Sequence, residues 1–193
     1  MPQCERGFRL VGFPMERGHE MAEIIEVYSA AEISDRVHGL AEEISRDYHE
    51  RELAVLGVLE DSFVFLADLL RAMTISPYTA FLRYDHQSMG GFQDLSFSTR
   101  MDVSGRNVIL VEGVLETGVP QEYLMKQLGA HGAASVRLCV LVDKPDRRRV
   151  GVEPDWRVFE TREHYVFGYG LGFNERWREL PYLATFDPNT KNY

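Results

Sequence analysis

The sequence predicts an α/β domain built on a mostly parallel sheet with helices on both faces. Three observations carry the prediction. Strand and helix patterns alternate along most of the chain, the strand segments are short and almost wholly apolar, and carboxylates fall where those segments end.

Residues 24–28 read as a short strand. Ser29 follows as an N-cap with Glu32 three residues on, the spacing of a capping box, and a helix is expected over 30–49. Its inner face is Ile33, Val37, Leu40, Ala41 and Ile44. Residues 53–59 form an apolar run of buried-strand length. Residues 62–73 predict a helix with Phe63, Leu66, Leu69 and Leu70 turned inward. A strand is expected over 78–84. Residues 85–100, polar and holding Gly90-Gly91, predict a long mobile loop with room for a short hairpin. Then come a strand at 107–112, a helix at 120–130 and a strand at 135–142. Residues 143–154 are polar and turn-rich. Strands near 155–160 and 165–168, a helical segment near 173–179 and a last strand near 182–186 complete the pattern. No repeat or low-complexity linker interrupts it.

The chain has 193 residues, 45% of them hydrophobic and 26% charged, enough for one soluble domain with a sizeable core. Residues 1–22 read as a flexible N-terminal extension and 23–193 as the domain. No apolar run approaches the roughly 20 residues of a membrane helix, and the first 20 residues lack the apolar stretch of a secretory signal, so a cytoplasmic location is expected. The net charge of −9 and the lack of a basic face argue against a nucleic-acid partner. Lys144, Arg147, Arg148 and Arg149 form the one basic cluster, expected in a solvated turn. Cys4 and Cys139 offer neither a structural disulfide nor a zinc spacing.

Residues 108–118, Val-Ile-Leu-Val-Glu-Gly-Val-Leu-Glu-Thr-Gly, say most about function. A strand ends in acids and a Gly turn, then opens a helix. Such a place can hold a phosphorylated sugar, with acids on ribose hydroxyls and backbone N–H groups at the helix start on phosphate. In parallel sheets ligands sit beyond the carboxyl ends of the strands, where Glu60, Glu112 and Asp143 are expected.

Four ordered blocks make the chain resemble the hypoxanthine-guanine phosphoribosyltransferase family from about residue 24 to 186. They are Gly57-Val58-Leu59 with Ser62-Phe63, Val111-Glu112 with Thr117-Gly118, Leu141 to Pro145, and Val166 to Leu171 with Asn174-Glu175 and Leu180-Pro181. The resemblance implies a type I phosphoribosyltransferase-like fold with a small C-terminal hood. It also implies transfer of a phosphoribosyl group from phosphoribosyl pyrophosphate to a purine nitrogen, with Mg²⁺ as the family's ion. Carried onto this chain, Glu112 binds ribose hydroxyls and Glu116 stands where the family has an Asp acting as general base. Thr117, Gly118 and Val119 cradle the 5′-phosphate, and Val114 packs on the base. Lys144 donates to the exocyclic oxygen, Tyr165 stacks on the ring, Val166 offers backbone contacts, and Arg178 meets pyrophosphate. A homo-oligomer, dimer or tetramer, is implied as well.

The chain departs from the family pattern in a clustered way. Leu-Lys-Gly at the pyrophosphate loop is Leu59-Glu60-Asp61, and the second ribose acid is Gly113. The general-base Asp is Glu116, the Thr closing the phosphate loop is Pro120, and a Mg²⁺-holding Asp is Gly172. Tyr84-Asp85 stands at the Ser-Tyr of the family's lid. The base-recognition residues are kept, while pyrophosphate and metal positions are lost. The first reading is a protein that binds a purine base or nucleoside monophosphate, with phosphoribosyl transfer weakened or lost. The second is a working purine transferase in salvage, with Mg²⁺ held through pyrophosphate and water. The third is an enzyme of another class, using the acids on a different ring. Plainer readings stand beside these: Glu112 and Glu116 as solvated acids, Lys144 as a turn lysine, Tyr165 as core, Glu60-Asp61 as a helix cap. His86 and His164 are the histidines placed to reach a ligand.

Overall fold

The computed structural model describes residues 24–84, 95–97 and 101–187. The extension 1–22, Cys4, Asp85, His86 and the Gly90-Gly91 part of the expected loop lie outside the described residues. In chain order the elements are β1 (Ile24–Tyr28), α1 (Ala30–Asp47), β2 (Leu53–Val58), α2 (Phe63–Ala72), β3 (Tyr78–Tyr84) and β4 (Leu95–Phe97), then β5 (Asn107–Leu115), α3 (Val119–Ala130), β6 (Ser135–Asp143), β7 (Trp156–Glu160) and β8 (Leu183–Phe186). Two compact units divide them: Ser34–Arg162, and Met1–Ile33 with Glu163–Tyr193.

The larger unit holds a sheet in the order β4-β3-β2-β5-β6-β7. Every neighbouring pair is parallel except β3 with β4, which pair antiparallel from Leu82↔Phe97 to Tyr84↔Leu95. Strand β2 is buried along its whole length, as a strand covered on both faces must be. From β2 the chain crosses through α2 to β3 on one side, and from β5 through α3 to β6 on the other. Right-handed crossovers in opposite directions place α2 and α3 on opposite faces. The order therefore reverses between β2 and β5, and in sheets of this kind ligands sit outside the carboxyl ends of the strands at such a reversal. Val58, Leu82, Leu110, Leu115, Leu124 and Val140 are among the core residues of this unit.

Helix α1 begins as its cap predicts. The Ser29 N–H donates to Glu32 Oε2 at 2.9 Å, and the Glu32 N–H donates to Ser29 Oγ at 3.3 Å. All five residues of its expected inner face are buried. Helix α2 differs from expectation. Phe63 is 42% exposed and Leu70 only half-buried, while Phe65 is fully buried. Phe63 is the first helical residue, where the side chain leans back beyond the helix end and away from the stripe of Phe65, Leu66 and Leu69.

In the smaller unit β1 pairs antiparallel with β8. Ile24, Phe167, Leu180, Ala184 and Phe186 form its core, with Phe173, Trp177 and Tyr182 packed against it. The strand expected at 165–168 is reduced to two isolated bridges, Phe167 with Ala184 and Gly168 with Leu171. The helical segment expected at 173–179 is a set of turns. Asn174, Glu175 and Trp177 have positive φ, which no right-handed helix accommodates. Stacking decides the matter: Phe173 and Trp177 lie 6.0 Å apart with rings 22° from parallel, and both meet Phe186.

Candidate functional site

Strand β5 runs three residues past its expected end, to Leu115, because the apolar pattern resumes after Glu112-Gly113. Glu112 is consequently not a strand-end acid. It lies within β5, only 6% exposed. Burial pushes its carboxyl up to about 8; the charge of Asp61 pushes the same way, and a hydrogen bond from Gln121 opposes both. That bond runs from Gln121 Nε2 to Glu112 Oε1 at 3.2 Å. The reading of Glu112 as a solvated acid is thereby excluded.

After β5 the chain turns through Glu116, Thr117 and Gly118 into α3. Gly118 has φ of +77°, and a Cβ there would come within 3.0 Å of both Arg148 and Val150, so this turn requires glycine. Val119, the first helical residue, is exposed, and Pro120 follows where a helix tolerates a missing N–H. Val114 is half-buried on the preceding strand.

Segment 144–149, beyond β6, grips this turn by its carbonyls. The N–H of Lys144 donates to the Leu115 carbonyl at 2.9 Å, and the N–H of Arg149 to that of Thr117 at 2.9 Å. Arg148 Nη1 donates to the carbonyls of Leu115 at 3.2 Å and Glu116 at 2.7 Å. In a trans peptide the N–H points opposite to the C=O. The N–H groups of Glu116, Thr117 and Gly118 therefore point away from Arg148 and Arg149. Successive N–H groups opening onto a helix start make an anion-binding concavity.

Arg148 is thus a buried support of this turn that sequence reading missed. Its side chain is 9% exposed, whereas the cluster 147–149 was expected in a solvated turn. It also pairs with Asp143, a wholly buried carboxylate that Arg157 Nη1 meets at 3.3 Å. One signal was available: an acid ending an apolar strand, if buried, needs a cation close by.

Lys144 is buried rather than an exposed turn lysine, and its Nζ donates to Glu116 Oε1 at 2.6 Å. Glu116 is the more open partner, with 40% of its side chain exposed. Together they present an ammonium donor beside a carboxylate acceptor, the pattern that reads a ring edge carrying one acceptor and one N–H. At the neighbouring turn after β2, the Leu59–Glu60 peptide is cis, and Glu60 Oε1 accepts from Arg83 Nη2 at 3.2 Å. Helix α2 is capped at Ser62, whose Oγ bonds the Val58 carbonyl instead, so Glu60 and Asp61 precede the helix.

The structure therefore brings Glu112, Val114, Glu116, Thr117, Gly118, Val119 and Lys144 to one end of the β5–β6 pair. Tyr165, Val166 and Arg178 belong to the smaller unit. There Tyr165 is 37% exposed and meets His164 and Phe173 edge-on, at 4.3 and 5.1 Å between ring centres. Val166 is buried. Arg178 Nη1 donates to the Gly170 carbonyl at 2.7 Å. A Cβ on Gly172 would lie 2.6 Å from the guanidinium carbon of Arg178. A cation thus sits against the position where the resemblance has a Mg²⁺-holding carboxylate. That arrangement does not fit a protein-held Mg²⁺, and among the described residues no group of three or more His, Cys, Asp or Glu is placed to hold a metal.

Comparison with known proteins bears on the same stretch of chain. A family model described as a phosphoribosyl transferase domain matches residues 25–176. The hypoxanthine-guanine phosphoribosyltransferase of Lactococcus lactis is 32% identical over 168 residues, covering 85% of this chain and 91% of the relative. That of Mycobacterium tuberculosis is 31% identical, covering 83% of this chain and 84% of the relative. Among solved structures, a hypoxanthine-guanine phosphoribosyltransferase from Bacillus anthracis has a TM-score of 0.78 at 30% identity, covering 84% of this chain and 97% of its own.

Proposed function

Because this chain belongs to the hypoxanthine-guanine phosphoribosyltransferase family, we propose that it binds a purine base or a nucleoside monophosphate, with phosphoribosyl transfer weakened or lost. One contrast carries the reading. On the base and phosphate side, Lys144 and Glu116 form a close pair at 2.6 Å beside the concavity of residues 116–118. On the diphosphate side, the turn after β2 offers two carboxylates, Glu60 and Asp61, where the family has Lys and Gly.

In this reading Lys144 donates to the exocyclic oxygen of a purine, and Glu116 accepts from a ring N–H. The N–H groups of the turn and Gly118-Val119 take the 5′-phosphate, and Glu112 with Val114 lies along the sugar and base. Tyr165 and Val166 contribute a ring platform and backbone contacts, and Arg178 remains the candidate diphosphate contact. A homo-oligomer, dimer or tetramer, and a cytoplasmic setting belong to the same proposal. Among the described residues no helix is long and apolar enough to cross a membrane.

A working purine phosphoribosyltransferase is the second reading, favoured by Glu116. An exposed carboxylate beside Lys144 is a competent general base if a purine N–H comes within reach.

Calorimetry with GMP tests the first reading. Wild type gives saturable heat, and Lys144→Met weakens GMP by about tenfold, the loss of one hydrogen bond to a charged group. No heat from GMP, IMP, guanine or hypoxanthine rejects it.

A further inference from the structure

Gln121 lies in the first turn of α3, 5% exposed, with its amide on Oε1 of Glu112. Among the described residues, this is the one hydrogen bond the Glu112 carboxyl makes. Few other groups face that carboxyl. Asp61, from the turn before α2, is the charge it feels most directly. Of the strands on either side, β6 sets Val140 in register with Glu112 and carries Arg137 and Asp143, the latter paired with Arg148 and Arg157, while β2 carries no titratable residue from Leu53 to Val58. On α3, Glu122 is paired with Lys126 at 3.1 Å.

We infer that Gln121 is a positioning residue: its amide ties down Oε1 of Glu112, so that Oε2 is the oxygen left to meet the sugar of a nucleoside monophosphate, as hydrogen-bond donor or acceptor according to pH. The inference rests on the reading of this pocket as a nucleotide site. Burial keeps Glu112 a neutral acid at pH 7, since its carboxyl is pushed up to about 8. With an amide N–H already on Oε1, the acid proton resides on Oε2. A neutral Glu112 meets a phosphorylated ligand without adding a second negative charge to that of Asp61. Once ionised it adds one, and ligand binding removes further water from it. Affinity for a nucleoside monophosphate therefore falls as pH rises through about 8. The amide of Gln121 favours the ionised carboxylate, so its removal moves that fall to higher pH.

The test pairs two measurements on wild type and Gln121→Leu, with Gln121→Met as a second apolar variant of similar length. One is the titration of the Glu112 carboxyl in the free proteins by carbon-13 NMR, assigned with Glu112→Gln. The other is GMP affinity by calorimetry from about pH 6.5 to 9.5. The expected midpoint is about 8 in wild type. It rises by about one pH unit in the variants, the size of a hydrogen bond to a charged group. The affinity curve moves by the same amount, because GMP's own titration is common to all the proteins and cancels. Equal midpoints in wild type and variants, or a Glu112 titrating in the ordinary carboxyl range, overturn the inference. A midpoint that shifts as expected in a protein that binds no GMP supports the hold of Gln121 on Glu112 and overturns the nucleotide reading.

Discussion

Replacing Glu60 by Lys, Asp61 by Gly and Gly113 by Asp together raises phosphoribosyl transfer from phosphoribosyl pyrophosphate to hypoxanthine by on the order of a hundredfold in kcat/KM. The size follows from charge. Two unit charges about 4 Å apart interact by about 4 kcal/mol at an effective dielectric near 20, so turning repulsion into attraction is worth several kcal/mol. A hundredfold needs only about 2.7 kcal/mol and leaves room for screening at an open site. Glu60 is already paired with Arg83 at 3.2 Å, with 59% of its side chain exposed, so the wild-type turn is not free to recruit that arginine for a ligand. Lys at 60 releases Arg83 as well as adding a cation. Gly at 61 removes a charge that also bears on Glu112. Asp at 113 restores a second acid beside Glu112. A steady-state assay of IMP formation checks this, and a triple variant no faster than wild type contradicts the account of the losses.

Arg148→Met unfolds at lower denaturant, losing about 3 kcal/mol of stability. Its partner Asp143 is wholly buried, and removing one member of a buried ion pair strands the other charge at a cost of about 3–5 kcal/mol. Arg157 remains at 3.3 Å from Asp143, which holds the loss to the lower end of that range. The carbonyls of Leu115 and Glu116 also lose their donor. The turn at 116–118 then no longer keeps its N–H groups aligned, and GMP affinity falls along with stability. Urea unfolding checks the first effect. A variant as stable as wild type would mean that the pair with Asp143 contributes little.

Much of the frame was legible because it is local. Ser29 and Glu32 cap α1 as their spacing predicts, and the apolar runs of β2, β5 and β6 are strands. Glu112, Glu116 and Lys144 were legible as candidates through the strand-turn-helix pattern and the resemblance. What escaped depends on distant partners. Arg147, Arg148 and Arg149 are alike in sequence; the Arg148 side chain is joined to Asp143 and to carbonyls more than thirty residues away. Gln121 looks like any polar residue of a helix's first turn until Glu112 proves to be buried beside it. Phe63 and Phe65 differ by a rotation that the stripe Leu66, Leu69 does not fix. The turns at 173–177 yield to aromatic stacking, which overrides a short helical pattern.

The most direct test of the central claim is a pair of calorimetric titrations of the wild-type protein, one with GMP and one with phosphoribosyl pyrophosphate in the presence of Mg²⁺. Saturable GMP binding, with phosphoribosyl pyrophosphate weaker by about a hundredfold or more, is the result this account predicts. Phosphoribosyl pyrophosphate bound as tightly as GMP, with Glu60 and Asp61 in place, would contradict it.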